Sequence, residues 1–416
     1  MWWTGTHWSR ELAEQKLDLS IMAMLKRRCK LAIDGDKDAI VKASIPSARH
    51  MQSCRTILDE HLAVPVSEFD SHPDLINAAN GVVDLRTGEL MPHTTQHRFT
   101  YCFATEFDAA ADYTYWQSFL EDTVAGGENI INYLQMAVGY SLTGHTNEEC
   151  LWYIHGPARS GKGTFTETIM ELVGQPFSVE TDFATFTAQR AAGDQGFDLA
   201  PLKPARIVFA SESNSAEWLN SGKVKRITGG NMISCAFKHH DQFTYRPRFK
   251  LWLTSNHPVK ADVDDDAIWG RVKVLQFPNG HLGEEDKSLK RKMRSAENLR
   301  GVLRWAVEGA MAWYASDSGL MTPEEITVTT GASRQQVDYV QTWLDECTEL
   351  MVDGWVSNGD IYTSYANWCK TNGVKPKFQR GLSVSLQAKN YAIGTQRKGA
   401  DGINRRGVDG INLLHA

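Results

Sequence analysis

The chain has 416 residues, enough for several domains if each takes about 100–200 residues. Its 42% apolar content and 13 tryptophans can build real cores, which excludes intrinsic disorder. The net charge of −6 excludes a surface coated in nucleic acid, yet residues 370–416 carry nine Lys/Arg against Asp401 and Asp409; that +7 leaves −13 on the remainder, a basic module on an acidic body.

In chain order, residues 9–65 have helical period: Leu17, Ile21, Met24 and Leu25 recur at three-to-four spacing, as do Met51, Cys54 and Leu58. The character changes over residues 66–112, where NAANGVVDLRTGEL predicts a strand at Val82–Leu85 closed by a Thr87–Gly88 turn. Helical period returns from Tyr115 to Leu142. Short strands then alternate with helices from Leu151 to Phe277, the pattern of an α/β domain. Helices are predicted from Glu285 to Tyr314, and Thr322–Pro323 breaks the chain before a last module. That module reads as a helix at Val340–Leu344, a helix at Ile361–Trp368 stopped by Gly373, a helix around Leu382 and Leu386, and two short strands with glycine turns. Three small helices and a glycine-rich wing predict a winged helix-turn-helix.

The most informative stretch is LWYIHGPARSGKGTF. Leu151–Ile154 reads as a buried strand and Thr166–Val173 as a helix. Between them Gly156, Pro157, Ala158, Arg159, Ser160, Gly161 and Lys162 match the GxxxxGK phosphate loop. Glycines let backbone N–H groups converge on phosphate oxygens, and the helix N-terminus adds its positive dipole end. Lys162 is expected to reach the β- and γ-phosphates. The usual Ser/Thr after the lysine is Gly163, so a Mg²⁺ hydroxyl comes either from Thr164, one position on, or from water.

ARIVFASESN follows about 50 residues later, with Glu212 at the end of the strand Ile207–Ala210. Ligands bind beyond the carboxyl ends of parallel strands, so Glu212 is a candidate to polarise the attacking water, with Ser211 where a second acid is common. A third strand, FKLWLTSN, ends in Ser255-Asn256, and the Asn256 amide is a candidate γ-phosphate or water ligand. Arg271, before the strand Val272–Phe277, either pairs locally with Asp264–Asp266 or completes a neighbouring subunit's site as an arginine finger.

These pieces, in this order, resemble superfamily 3 helicases, in particular phage and plasmid primase–helicases related to the poxvirus replication NTPase. FDSHPDLINAANGVVDLRTGEL (69–90) is similar to that family's N-terminal domain, GPARSGKGT to its motif A and FASES to motif B. KRITGGN (225–231) resembles motif B′, and LWLTSNHP (251–258) with DDDAIWGRV (264–272) resembles motif C and its finger. Gly270 stands where the family often has a second arginine.

The resemblance implies an AAA+-like P-loop ATPase core, an N-terminal mixed helical domain, a C-terminal winged helix-turn-helix, and a hexameric ring. It further implies Mg²⁺-ATP hydrolysis and 3′→5′ movement on single-stranded and forked DNA, in a bacterial host. It implies DNA contact by Lys225 and, at the tip of a β-hairpin, by Lys238 and His239, with Phe237 packing or stacking. The expected domains are 1–112, a helical oligomerisation or linker segment at 113–148, the ATPase core at 149–280, its C-terminal helices at 281–320, and the winged helix at 325–416.

Two other classes stay open: a DNA-binding initiator or loader that uses ATP to assemble without unwinding, and a small-molecule kinase, because GKGT also occurs in nucleotide kinases. KRITGGN and the basic module have no role in a kinase. Nothing before residue 69 resembles a primase's catalytic acids or zinc site, so a primase or polymerase is an expected separate partner or part of a longer chain. The seven cysteines form no CxxC pair, which predicts free thiols in a reducing compartment. No run of about 18 apolar residues and no signal-peptide pattern exists, so a cytoplasmic protein without membrane contact is expected.

Overall fold

The computed structural model describes all residues except 12, 36, 188–195, 213–217, 239, 282–287, 373, 375, 399–403 and 415–416. The early helical period becomes three helices, Ala13–Asp34, Asp38–Ser44 and Ala48–His61, the last capped by the Ser47 hydroxyl accepting from His50 N at 3.2 Å. The predicted strand has two partners. Gly81–Asp84 pairs antiparallel with Leu75–Ala78 on one side and Leu90–Met91 on the other. The helical stretch 115–142 is two helices, Thr114–Thr123 and Gly127–Leu142. They part at Gly126 and Gly127, both at positive φ, a conformation that ends a right-handed helix.

The centre is a parallel five-stranded sheet. In chain order its strands are Leu151–His155, Ser178–Asp182, Ile207–Ser211, Lys250–Ser255 and Val272–Gln276, and across the sheet they stand in the order fifth, first, fourth, third, second. Both faces are covered, as a parallel sheet requires. On one face Trp152 stacks on Trp252, ring centroids 4.4 Å apart. That face packs under the helices Gly127–Leu142 and Ala296–Ala315. These two helices approach closely: a Cβ at Gly139 would lie 2.1 Å from Ala310 N, and one at Gly309 would lie 2.1 Å from Gln135 O. The opposite face, with Tyr153, Val208, Leu251 and Leu253, packs with Phe186, Val224 and Ile227.

Two buried cations tie the sheet to the segments that precede it, and Arg206 reaches the N-terminal part. The Arg206 guanidinium donates to the carbonyls of His72, Pro73, Leu75 and Leu142, between 2.7 and 3.3 Å. The Lys250 ammonium donates to Thr143 O, His145 O and Arg248 O. Burial holds both below their ordinary pKa ranges.

The predicted helical stretch 285–314 is a short helix Leu289–Met293 and a long one Ala296–Ala315, separated at Ser295, whose hydroxyl caps the second. A further helix, Glu324–Gln336, lies against the edge strand, where the Thr330 hydroxyl accepts from Val274 N at 3.1 Å. Beyond it the helices Tyr339–Cys347, Asn358–Thr371 and Gln379–Ala388 surround their own core of Trp343, Tyr365, Leu382 and Leu386. The strands Ile393–Lys398 and Asn404–Leu413 form the expected hairpin. A third strand, Thr348–Ser357, completes an antiparallel sheet by pairing with Asn404–Leu413. Alternation did not announce it, because a register shift between Leu350 and Trp355 interrupts its two-residue period. No helix among the described residues is long and apolar enough to cross a membrane.

Candidate active site

The glycine loop runs from the strand Leu151–His155 into the helix Lys162–Val173. Two of its glycines are obligatory. A Cβ at Gly156 would lie 2.0 Å from Phe277 O, and Gly161 has φ +87° with Thr123 Cγ2 only 2.6 Å from a Cβ. Gly163 differs, because a Cβ there meets nothing closer than Glu167 Oε1 at 3.7 Å. Pro157, Ala158 and Arg159 are exposed along the loop crest, while Ser160 and Thr164 are buried. The Lys162 ammonium folds back over the loop. It donates to Gly156 O at 2.8 Å, Pro157 O at 2.7 Å, Ser160 Oγ at 3.2 Å and Asn256 Oδ1 at 2.9 Å. Every acceptor is neutral, and burial pushes the ammonium down to about 8. Burial first and the Lys162 charge second also lower His155, the last residue of the loop strand.

Asn256 follows the central strand Lys250–Ser255, and Glu212 follows its neighbour Ile207–Ser211. Parallel pairing aligns the tips: Ser255 stands opposite His155, and Thr254 opposite Ser211. Glu212 is half-buried. Its carboxylate accepts from Tyr153 Oη at 3.1 Å and from Ser255 Oγ. Lys162, Asn256 and Glu212 therefore converge at the carboxyl ends of three adjacent strands, beside the point where connections leave the sheet in opposite directions. Such a crevice is where open α/β sheets bind ligands. Tyr153 and Ser255 carried no sequence signal for this contact. Tyr153 reads as one more aromatic in a buried strand, and only sheet order brings it to Glu212.

Arg271 is not in this crevice. It precedes Val272, which pairs with Leu151 at the opposite end of the loop strand, about 13 Å of strand away from the loop. Its guanidinium donates to Glu149 at 2.5 Å and to Ala267 O at 2.9 Å. The aspartates offered by sequence as its local partners serve others. Asp264 binds Lys377 at 2.7 Å and Asp266 binds Arg334 at 2.7 Å. Asp265 binds Lys225 at 2.8 Å, so that lysine's ammonium meets a carboxylate.

The segment after KRITGGN is a hairpin, Ile233–Cys235 paired antiparallel with Phe243–Tyr245. Lys238 and Phe237 are exposed at its tip, and the Phe237 ring stacks on Phe243 with centroids 5.6 Å apart. His239 lies outside the described residues.

Strand, glycine loop and helix, with a carboxylate and an amide on adjacent strand tips, define the class: a mixed α/β protein with a P-loop-like core. Residues 1–125 match the family described as D5 N terminal like, and residues 154–271 match a family of unknown function, DUF5906. The chain is thus similar, in two separate stretches, to these families, and over more than half its length to viral proteins provisionally named helicases.

Among its curated relatives, a protein of Acanthamoeba polyphaga mimivirus provisionally named a helicase is 23% identical over 73% of this chain and 34% of its own. A protein of Frog virus 3 (isolate Goorha), also provisionally named a helicase, is 24% identical over 65% of this chain and 29% of its own. The uncoating factor of Vaccinia virus (strain Western Reserve) is 25% identical over 55% of this chain and 31% of its own. The chain thus spans about a third of the length of these relatives. Among solved structures, the apo structure of the NrS-1 C-terminal region has a TM-score of 0.45 at 12% identity, covering 79% of this chain and 92% of that one.

Proposed function

We propose that the chain is an ATP-dependent DNA helicase of phage or plasmid replication, built on an AAA+-like core and acting as a ring on single-stranded and forked DNA. The observation that carries this reading is the convergence of Lys162, Asn256 and Glu212 at the carboxyl end of the sheet beside the glycine loop. In the reaction, the Lys162 ammonium leaves its neutral loop carbonyls for phosphate oxygens. Charge-assisted hydrogen bonds to an anion are stronger than those it holds here. Asn256, released by the same movement, can orient the attacking water. The water oxygen forms the new bond to the γ-phosphorus, the bridging P–O bond of ATP breaks, and the water's proton passes to Glu212.

The donor set fits Mg²⁺ held mainly by phosphate and water. Among the described residues no group of three His, Cys, Asp or Glu could hold a metal, and Thr164 is the first hydroxyl after Lys162. When bound, Mg²⁺ would neutralise phosphate charge. Because Arg271 lies far from its own loop, its place in catalysis is a neighbouring subunit's site, which ties hydrolysis to a ring, hexameric in the family.

Lys238 and His239 between the hairpin strands, and Lys225 in the preceding helix Ser221–Thr228, are assigned to DNA phosphates. The three helices and hairpin of residues 339–413 are read as a winged helix-turn-helix. Their exposed Arg380, Arg405 and Arg406 suit a polyanion. A primase or polymerase, separate or part of a longer chain, is the expected partner, and 3′→5′ movement follows the resemblance.

Two assays test the reading. DNA-stimulated ATPase activity is expected, lost in Glu212→Gln by roughly 10²–10⁴-fold while ATP still binds. Unwinding of a forked duplex is expected as well, and stimulation without unwinding turns the assignment to an initiator or loader.

A further inference from the structure

Two hydroxyls, from Tyr153 and Ser255, grip the Glu212 carboxylate. Tyr153 Oη shares its proton between Glu212 Oε2 at 3.1 Å and His257 O at 3.0 Å. Ser255 Oγ donates to the same carboxylate oxygen and accepts from His257 N at 2.8 Å. Tyr153 stands in the middle of the loop strand, paired in register with Leu253 of the central strand, and its ring is 1% exposed. Its hydroxyl therefore reaches over the central strand to the tip of the strand beyond. Burial keeps its proton on far above any working pH, so it is a permanent donor.

A general base must hold its carboxylate within a fraction of an ångström of the productive place, and a glutamate at a strand tip has three rotatable side-chain bonds to restrain. A phenol anchored by a buried ring supplies that restraint with little entropy of its own. Ser255 adds a link, because the next residue, Asn256, holds Lys162. One dipeptide at the tip of the central strand thus touches both the lysine and the glutamate.

We propose that Tyr153 is a positioning residue for Glu212, fixing the carboxylate from the loop strand with Ser255 as its second anchor. This rests on the reading of Glu212 as the base that takes the water's proton. The alternative is that the hydroxyl of a core tyrosine has merely found an acceptor, and the two differ in kinetics.

Tyr153→Phe removes one oxygen and keeps the buried ring. The expected result is a kcat lowered roughly tenfold with the KM for ATP within about twofold, the size of one lost hydrogen bond to a charged group. In a Glu212→Gln background the same substitution should change the residual kcat by less than about twofold, because the group it positions is already disabled. Ser255→Ala should show the same loss and the same dependence on Glu212, which keeps the idea testable if one variant folds poorly. An unchanged kcat in Tyr153→Phe, or an equal fall in both backgrounds, overturns the positioning role while leaving the ATPase assignment standing. A wild-type protein without ATPase activity, or Glu212→Gln at the wild-type rate, overturns the assignment of Glu212 itself and the proposal with it.

Discussion

The Lys162 ammonium donates to the Asn256 amide oxygen at 2.9 Å, joining two residues 94 positions apart. Its other acceptors are neutral loop oxygens, so the lysine rests in a place it leaves when phosphate arrives. Lys162→Ala is expected to lower ATP hydrolysis roughly 10²-fold or more, since it deletes the charge aimed at the transferred phosphoryl group. Retained turnover in that variant, measured by phosphate release, rejects the loop as the ATP site.

The same lysine predicts a pH effect. Burial lowers its pKa from 10.5 to about 8. Between those values the folded protein binds fewer protons at this site than the unfolded chain. The penalty on stability is therefore fully present below pH 8 and relieved as pH rises toward 10.5. Phosphate favours the charged form, so ATP binding above pH 8 should take up a proton and weaken by up to about tenfold per pH unit. Calorimetry in buffers of different ionisation enthalpy reads the uptake; none at pH 9 contradicts a neutral resting lysine.

Gly163 offers a gain rather than a loss. A Cβ there has room, with its nearest neighbour 3.7 Å away. Gly163→Thr restores the hydroxyl that the loop usually carries and replaces a helical glycine by a residue of slightly better helix propensity, worth about 0.3 kcal/mol of stability. The variant is expected to melt higher and to need less Mg²⁺ for half-maximal ATPase activity. An unchanged Mg²⁺ requirement shows that a hydroxyl at this position does not reach the metal.

Lys238 is exposed at the hairpin tip. Lys238→Ala combined with His239→Ala should keep basal ATPase activity and lose its stimulation by single-stranded DNA. Each lost phosphate contact should lower the slope of log affinity against log salt by about 0.7. Unchanged affinity, slope and stimulation place the tip on an ordinary surface.

Arg271 should act in trans. Its Glu149 partner and its place at the far end of the strand keep it from its own loop. Arg271→Ala and Lys162→Ala proteins, each inactive, should regain part of the ATPase activity when mixed, because some interfaces pair an intact loop with an intact arginine. Mixed rings that contain both variants by pull-down and stay inactive remove the finger role.

Much of this architecture is legible in local sequence because the governing geometry is local. LWYIHGPARSGKGTF encodes a strand, a turn that only glycines at 156 and 161 can make, and a helix, all within neighbouring residues. The helical period of residues 296–315 and the apolar triplets of the last three helices follow the 3.6-residue repeat in the same way. Where the repeat is broken, the reading blurs. Gly126 and Gly127 split the helical stretch 115–142, and the bulge after Leu350 hid a strand.

Pairing between distant segments was decided by tertiary structure. By sequence, Arg271 has three aspartates close by, and the chain instead spends them on Lys377, Lys225 and Arg334 while Arg271 reaches Glu149. Nothing in the spelling of residues 149–153 marks Glu149 as an arginine's partner or Tyr153 as a donor to Glu212. Each contact depends on which strands lie side by side and in what register, and a shift of one residue along a strand turns a side chain to the opposite face. Local propensity therefore specified the loop and its helix, whereas strand order selected which charges and hydroxyls meet at the ends of the sheet.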